Sequence, residues 1–189
     1  MARLPETAAL LIVDVQRAME QPAWGRNRNN PQAEANIARL LRAWREARRP
    51  VYHVRHDSTF ADSPYRPGQV GNDFKPEVAP LAGETVIVKR TNSAFIGTDL
   101  EKRLRAAGHD TLIITGVITN NSVEATVRMA GNLGFATSVV SDATATVEKR
   151  DLAGRLWPAD EVHALALANM EGEYARVVDT AAVLRMLDA

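Results

Sequence analysis

Short apolar runs alternate along this chain with segments of helical periodicity, and that alternation limits the fold more than any other feature. The runs AALLIVDV (8–15), VYHVRH (51–56), ETVIVKR (84–90), TLIITGV (111–117), ATSVVSDA (136–143) and ARVVDT (175–180) predict six strands. Between them, PQAEANIARLLRAWREARR (31–49) places Ile37, Leu40, Leu41 and Trp44 at helical spacing, with Pro31 suited to a first turn. GTDLEKRLRAAG (97–108) predicts a helix with Thr98 or Asp99 as cap and Gly108 as stop. SVEATVRMAGNLG (122–134), PADEVHALALANMEGEY (158–174) and the terminal AAVLRMLD complete the helical set. Strands apolar throughout must be buried on both faces, and strands that alternate with helices imply a parallel α/β sheet covered on each side.

The 189 residues suit a single domain, 1–189, with a sizeable core. Lys and Arg balance Asp and Glu at 23 each, so no basic face is indicated and neither nucleic acid nor an anionic membrane is expected as a partner. The start, MARLPETAALLIVDVQ, is no signal peptide: its apolar stretch is short and broken by Asp14. No stretch approaches the roughly 20 apolar residues that span a bilayer. The absence of cysteine rules out disulfides and thiolate metal sites, and nothing argues against a cytoplasmic location. One segment breaks the alternation: DSTFADSPYRPGQVGNDFKPEVAPLAG (57–83) is long for a loop in a compact domain, and such loops are often lids.

In open parallel α/β sheets, ligands bind beyond the carboxyl ends of the strands. Asp14 ends the first run, His53 and His56 the second, Lys89 the third, and the fourth leads through ITNN to Ser122. Acid, base and hydroxyl thus converge on one sheet edge. Asp14 follows four apolar residues, so a buried carboxylate needing a partner is expected, and Lys89 is the obvious one. That pair reads equally well as a purely structural ion pair. Ser122 at a helix start reads either as a plain cap or as a hydroxyl presented to free amides and a positive dipole end. His53 and His56, three apart on a strand, point to opposite faces.

Three stretches, LLIVDVQ (10–16), VIVKRTNSAF (86–95) and GVITNNSVEATVRMAGNLGFATSVVSDATAT (116–146), together resemble the isochorismatase-like hydrolase superfamily, the cysteine hydrolases that include nicotinamidases. The resemblance spans nearly the whole chain. It implies a three-layer, Rossmann-like α/β fold with a six-stranded parallel sheet flanked by helices. It implies catalytic roles for Asp14 as general base, Lys89 as its electrostatic partner, and Ser122 where the family carries its nucleophilic cysteine. It further implies a cis peptide at Val117–Ile118 and an oxyanion hole from the amides of Ile118 and Ser122. The metal cluster of nicotinamidases follows the second strand, and VYHVRHDS departs from that pattern, so no metal and no other cofactor is expected. Self-association, as a dimer or tetramer, is implied by the resemblance alone.

Serine in place of cysteine leaves three accounts open: a weaker natural nucleophile, a protein that makes no acyl intermediate, or a substitution made to trap a complex. The leading expectation is hydrolysis of a small amide-like C–N bond in a small-molecule substrate. The alternatives are vinyl ether cleavage with Asp14 as acid, and a non-catalytic protein that binds a metabolite. Gln16, Trp24, His56, Phe95 and Asn121 are further pocket candidates, named from their adjacency to the motifs.

Overall fold

A computed structural model of the chain describes residues 3–21 and 27–188. In chain order the elements are β1 (Ala9–Val13), α1 (Ala33–Glu46), β2 (Val51–His56), β3 (Thr85–Lys89), α2 (Leu100–Ala106), β4 (Thr111–Val117), α3 (Glu124–Asn132), β5 (Ala136–Ala145), β6 (Lys149–Arg150), β7 (Leu156–Trp157), α4 (Ala159–Met170), β8 (Arg176–Val178) and α5 (Thr180–Asp188). Six strands form one sheet in the order β3-β2-β1-β4-β5-β8, every pair parallel. The expected six-stranded α/β sheet is therefore present. Strands β6 and β7 form a separate antiparallel ribbon, too short to show as an apolar run.

The two-fold alternation of side chains divides the core. Leu10 and Ile12 of β1 join Ile37, Leu40, Leu41 and Trp44 of α1 and Val183 and Met186 of α5 on one face. Ala9, Leu11 and Val13 face the other way, against Leu100 and Leu104 of α2 and Val127 and Ala130 of α3. Trp44 is fully buried, and its indole N–H donates to the Ala8 carbonyl at 3.0 Å, so its polar edge is satisfied. Among the described residues no helix is long and apolar enough to cross a membrane.

Several element ends differ from the sequence expectation. Pro31 precedes α1 instead of opening it, since Gln32 is the N-cap residue. The helix cannot run to Arg49, because Arg48 adopts a left-handed φ of 53°. Asp99 occupies the N-cap of α2 but its carboxylate is turned to Arg103 at 2.8 Å, and Thr98 Oγ1 accepts from the Leu100 amide instead. Strand β1 stops at Val13 because Asp14 leaves the extended region with φ 54°. Helix α4 ends at Met170, where Glu171 becomes extended. The long 57–83 segment contains only two single 3-10 turns, Val70–Asn72 and Pro76–Val78.

One glycine is required by close approach. Gly116 on β4 has φ 126°, and a Cβ there would lie 2.1 Å from the Val13 carbonyl oxygen. Strands β1 and β4 can lie this close only with no side chain at position 116.

Candidate active site

The sheet order reverses at β1: the chain runs outward through β2 and β3, then returns to place β4 on the other side of β1. Ligand sites in such sheets form beyond the carboxyl ends of the strands flanking that reversal. Asp14 follows β1 directly, and the segment carrying Ser122 follows β4. Lys89 is the last residue of β3 and reaches back across β2.

Lys89 Nζ donates to Asp14 Oδ2 at 2.7 Å, to the Thr91 carbonyl at 3.0 Å and to Ser122 Oγ at 3.3 Å. Those three bonds use every N–H of an ammonium group. Because an ammonium only donates, Ser122 Oγ is the acceptor in the last of them, and its own proton is directed elsewhere. Asp14 Oδ1 is buried and has no hydrogen-bond partner among the described residues. Burial raises the Asp14 carboxyl above the ordinary carboxylate range, against the pull of Lys89, the Ser122 hydroxyl and His56.

Ser122 does not begin a helix. It lies within a single π turn, Thr119–Val123, in which the Ile118 carbonyl accepts from the amides of both Asn121 (3.0 Å) and Val123 (3.3 Å). Helix α3 starts only at Glu124. The hydroxyl of Ser122 is therefore engaged with Lys89 and is not a cap. The peptide between Val117 and Ile118 is cis, as the resemblance implied.

The π turn is braced from behind by residues that motif reading did not single out. Thr126 Oγ1 donates to the Ser122 carbonyl at 2.7 Å and accepts from the Ala94 amide at 3.0 Å, joining the turn to the loop after β3. Its position four residues after Ser122, where a threonine can bond back along its own helix, is the one sequence signal that could have marked it. His163 of α4 lies between Thr119 Oγ1 (Nδ1, 3.0 Å) and the Ser141 carbonyl (Nε2, 3.1 Å). A carbonyl only accepts, so the ring carries its proton on Nε2 and Thr119 donates to Nδ1. Burial lowers His163 below the usual imidazole value, which keeps it neutral.

A cavity of about 470 Å³ opens over this group, with Asp14, His56, Val117, Ile118, Asn121 and Ser122 on its wall. The structure thus brings together most of the residues expected from sequence. Gln16 is not among them: its amide is buried, donating to the carbonyls of His56 and Asn72 and accepting from the His56 amide. It braces the end of β2. Phe95 is buried in the core, its ring 5.7 Å from that of Phe135. Trp24 lies outside the described residues. The remaining wall comes from the long segment after β2, through Ser58, Phe60, Asp62 and Tyr65, and from Asn92. His56 lines the cavity with its ring against Tyr65, whereas His53 faces away and meets Glu84 Oε2 at 2.8 Å. The opposite orientations expected of the two histidines are observed. Among the described residues no group of three His, Asp or Glu side chains could hold a metal ion.

The isochorismatase domain model matches residues 8–182. A crystal structure of an isochorismatase-family protein from Chromobacterium violaceum superposes with a TM-score of 0.96 at 54% identity, covering 100% of this chain and 97% of that one. The isochorismatase family protein YrdC of Bacillus subtilis is 41% identical over 177 residues, 94% of each chain. Ureidoacrylate amidohydrolase RutB of Methylobacterium radiotolerans is 30% identical over 94% of this chain and 78% of its own length.

Proposed function

The chain belongs to the isochorismatase family of hydrolases, and we propose that it cleaves a small amide-like C–N bond, with Asp14 as proton carrier, Lys89 as its fixed counter-charge and Ser122 as nucleophile. The observation that carries this reading is the Lys89 ammonium, which joins the Asp14 carboxylate and the Ser122 hydroxyl at the base of one cavity. The 30% identity with an amidohydrolase supports the C–N bond as the target.

In this reading Ser122 Oγ attacks the amide carbonyl as its proton passes to Asp14 Oδ1, the oxygen with no partner among the described residues. The Oγ–C bond forms, and collapse of the tetrahedral intermediate breaks the C–N bond as Asp14 returns the proton to the departing amine. Water then attacks the acyl ester, giving up a proton to Asp14, which passes it back to Oγ as the acid is released. The amides of Ile118 and Ser122 stabilise the oxyanion. Burial raises the Asp14 carboxyl, which favours its taking up the proton that Ser122 gives in the first half of this cycle.

A panel of small amides tests the proposal. Turnover is expected to fall by about 10²–10⁴-fold in Asp14→Asn, the usual contribution of general acid–base catalysis. An acyl adduct on Ser122 should be visible by intact mass when an activated ester is supplied. Undiminished amide turnover in Ser122→Ala removes the nucleophile from the reading. Enol ether cleavage with no adduct at 122 replaces it with acid catalysis by Asp14.

A further inference from the structure

We propose that this chain pairs with a second copy of itself through the outer face of α4, about a two-fold axis that passes beside Leu165. Such pairing is independent of the chemistry at Ser122. Helix α4 buries Ala159, His163, Ala166 and Met170, which recur at helical spacing on one side. On the opposite side Ala164, Leu165 and Ala168 are exposed and Val162 is half-buried. Leu165 is 63% exposed. A helix on the surface of a globular domain ordinarily turns polar residues outward. Here the middle of the outward face is apolar, and polar residues stand only towards its ends, Glu161 at one and Asn169 at the other. The same face lines a groove of about 760 Å³, with Trp157 of β7 and Lys149 of β6 also on its wall. Trp157 is a fixed wall: its indole N–H donates to Asp151 Oδ2 at 2.8 Å, and the Arg155 guanidinium lies 3.8 Å over its ring.

Three features select a second copy as the occupant. A two-fold interface needs one patch to carry both a projection and the hollow that receives it. Leu165 is the projection, and the groove bounded by Ala168 and Trp157 is the hollow. The spacing along α4 is also symmetric about Leu165. In two antiparallel helices related there, Val162 meets the partner subunit's Ala168, and Glu161 meets the partner subunit's Asn169. A larger apolar group then faces a smaller one, and a carboxylate faces an amide that can donate to it. Charge is the third feature. Glu124 on the groove is matched by Arg128 at 2.7 Å, while Lys149 and Glu161 are exposed and opposite in sign. Two copies of such a patch meet without a net like-charge field between them.

The chain has no cysteine, so one substitution gives an unambiguous reporter. The full chain is weighed by sedimentation equilibrium over a range of concentrations. An assembly is expected whose mass falls twofold in Leu165→Asp, with helical circular dichroism retained. Under mild oxidation Leu165→Cys should form a covalent dimer. Leu81→Cys, at a position 58% exposed in the loop before β3, should do so about tenfold more slowly, because contact within an assembly replaces chance encounter. If Leu165→Asp does not fold, the two cross-linking rates decide alone. An assembly whose mass survives Leu165→Asp, or equal cross-linking at 165 and 81, overturns the proposal. A native chain that stays monomeric leaves the face to a different protein and overturns it too.

Discussion

Lys89 Nζ and Asp14 Oδ2 meet at 2.7 Å with side-chain exposures of 0% and 5%, so neither charge can exchange its partner for water. Removing one member of such a pair leaves an uncompensated buried ion. Lys89→Met is expected to cost about 3–5 kcal/mol in urea unfolding, and the double variant Asp14→Asn/Lys89→Met to recover much of it. Equal losses in the single and double variants would show that the pair is not energetically coupled.

Acid should destabilise the fold through its histidines. His53, His56 and His163 all lie below the ordinary imidazole value of 6.5, chiefly because burial disfavours the cation. Below 6.5 the unfolded chain therefore takes up protons that the folded chain refuses, and stability falls as pH drops through the folded values. Asp14 has the opposite sign: its folded value is raised, so its stabilisation is full below 3.8 and is lost as pH rises through the folded value. Melting temperature should decline on acidification from neutrality, less steeply in His163→Gln and more steeply in Asp14→Asn.

Gly116→Ala should be among the most damaging single substitutions. The new methyl would sit 2.1 Å from the Val13 carbonyl oxygen, against backbone that cannot swing aside, at a φ of 126°. Separation of β1 from β4 would displace Asp14 as well. The expected outcome is insoluble protein or a fall of several degrees in melting temperature. A fully stable Gly116→Ala protein would contradict the observed approach of the two strands.

Thr126 offers a test of how Ser122 is held. Thr126→Val leaves the Ala94 amide and the Ser122 carbonyl without their buried partner, at a cost of about 1–3 kcal/mol, and Thr126→Ser should restore it. In the Ser122→Cys background, alkylation at 122 should slow with Val and recover with Ser. An effect on stability alone, with the thiol equally reactive, would make Thr126 a core residue and nothing more.

Ser122→Cys should itself raise acyl-transfer activity. A thiol with a reference pKa near 8.5 ionises more readily beside a base and free amides, whereas a hydroxyl stays protonated until a base acts. Turnover of activated esters is the measurement, and a variant no more active than the serine protein would argue that the nucleophile is not what limits the reaction.

The sheet was legible because strands buried on both faces are written as unbroken apolar runs, and Asp14, Lys89 and Ser122 were legible because each interrupts or follows such a run. Gln16 and Phe95 were misplaced for a shared reason: adjacency along the chain does not fix direction. Asp14 turns at φ 54°, and two residues later the Gln16 amide reaches the backbone of Asn72, 56 positions away. His163 and Thr146, which brace Thr119 and Asn120, left no local trace, since the partners of each lie far away along the chain. The wall contributed by Ser58, Phe60, Asp62 and Tyr65 could be suspected from the length of its loop, but without periodicity no particular residue could be chosen.

The bridge from Asp14 through Lys89 to Ser122 joins positions 75 and then 33 residues apart, on strands that are not consecutive in the sheet. No contiguous segment of the chain contains it. During folding such contacts are among the last rewarded, because the loops they close must be ordered before they can form. The three side chains therefore act as a completion signal: helices and single hairpin-sized pieces can appear early, yet the contact of Lys89 with Ser122 forms only when the strands on both sides of β1 are in place. A thiol placed there would time the final assembly of the sheet, and its reactivity would lag behind the recovery of helical structure in any refolding experiment.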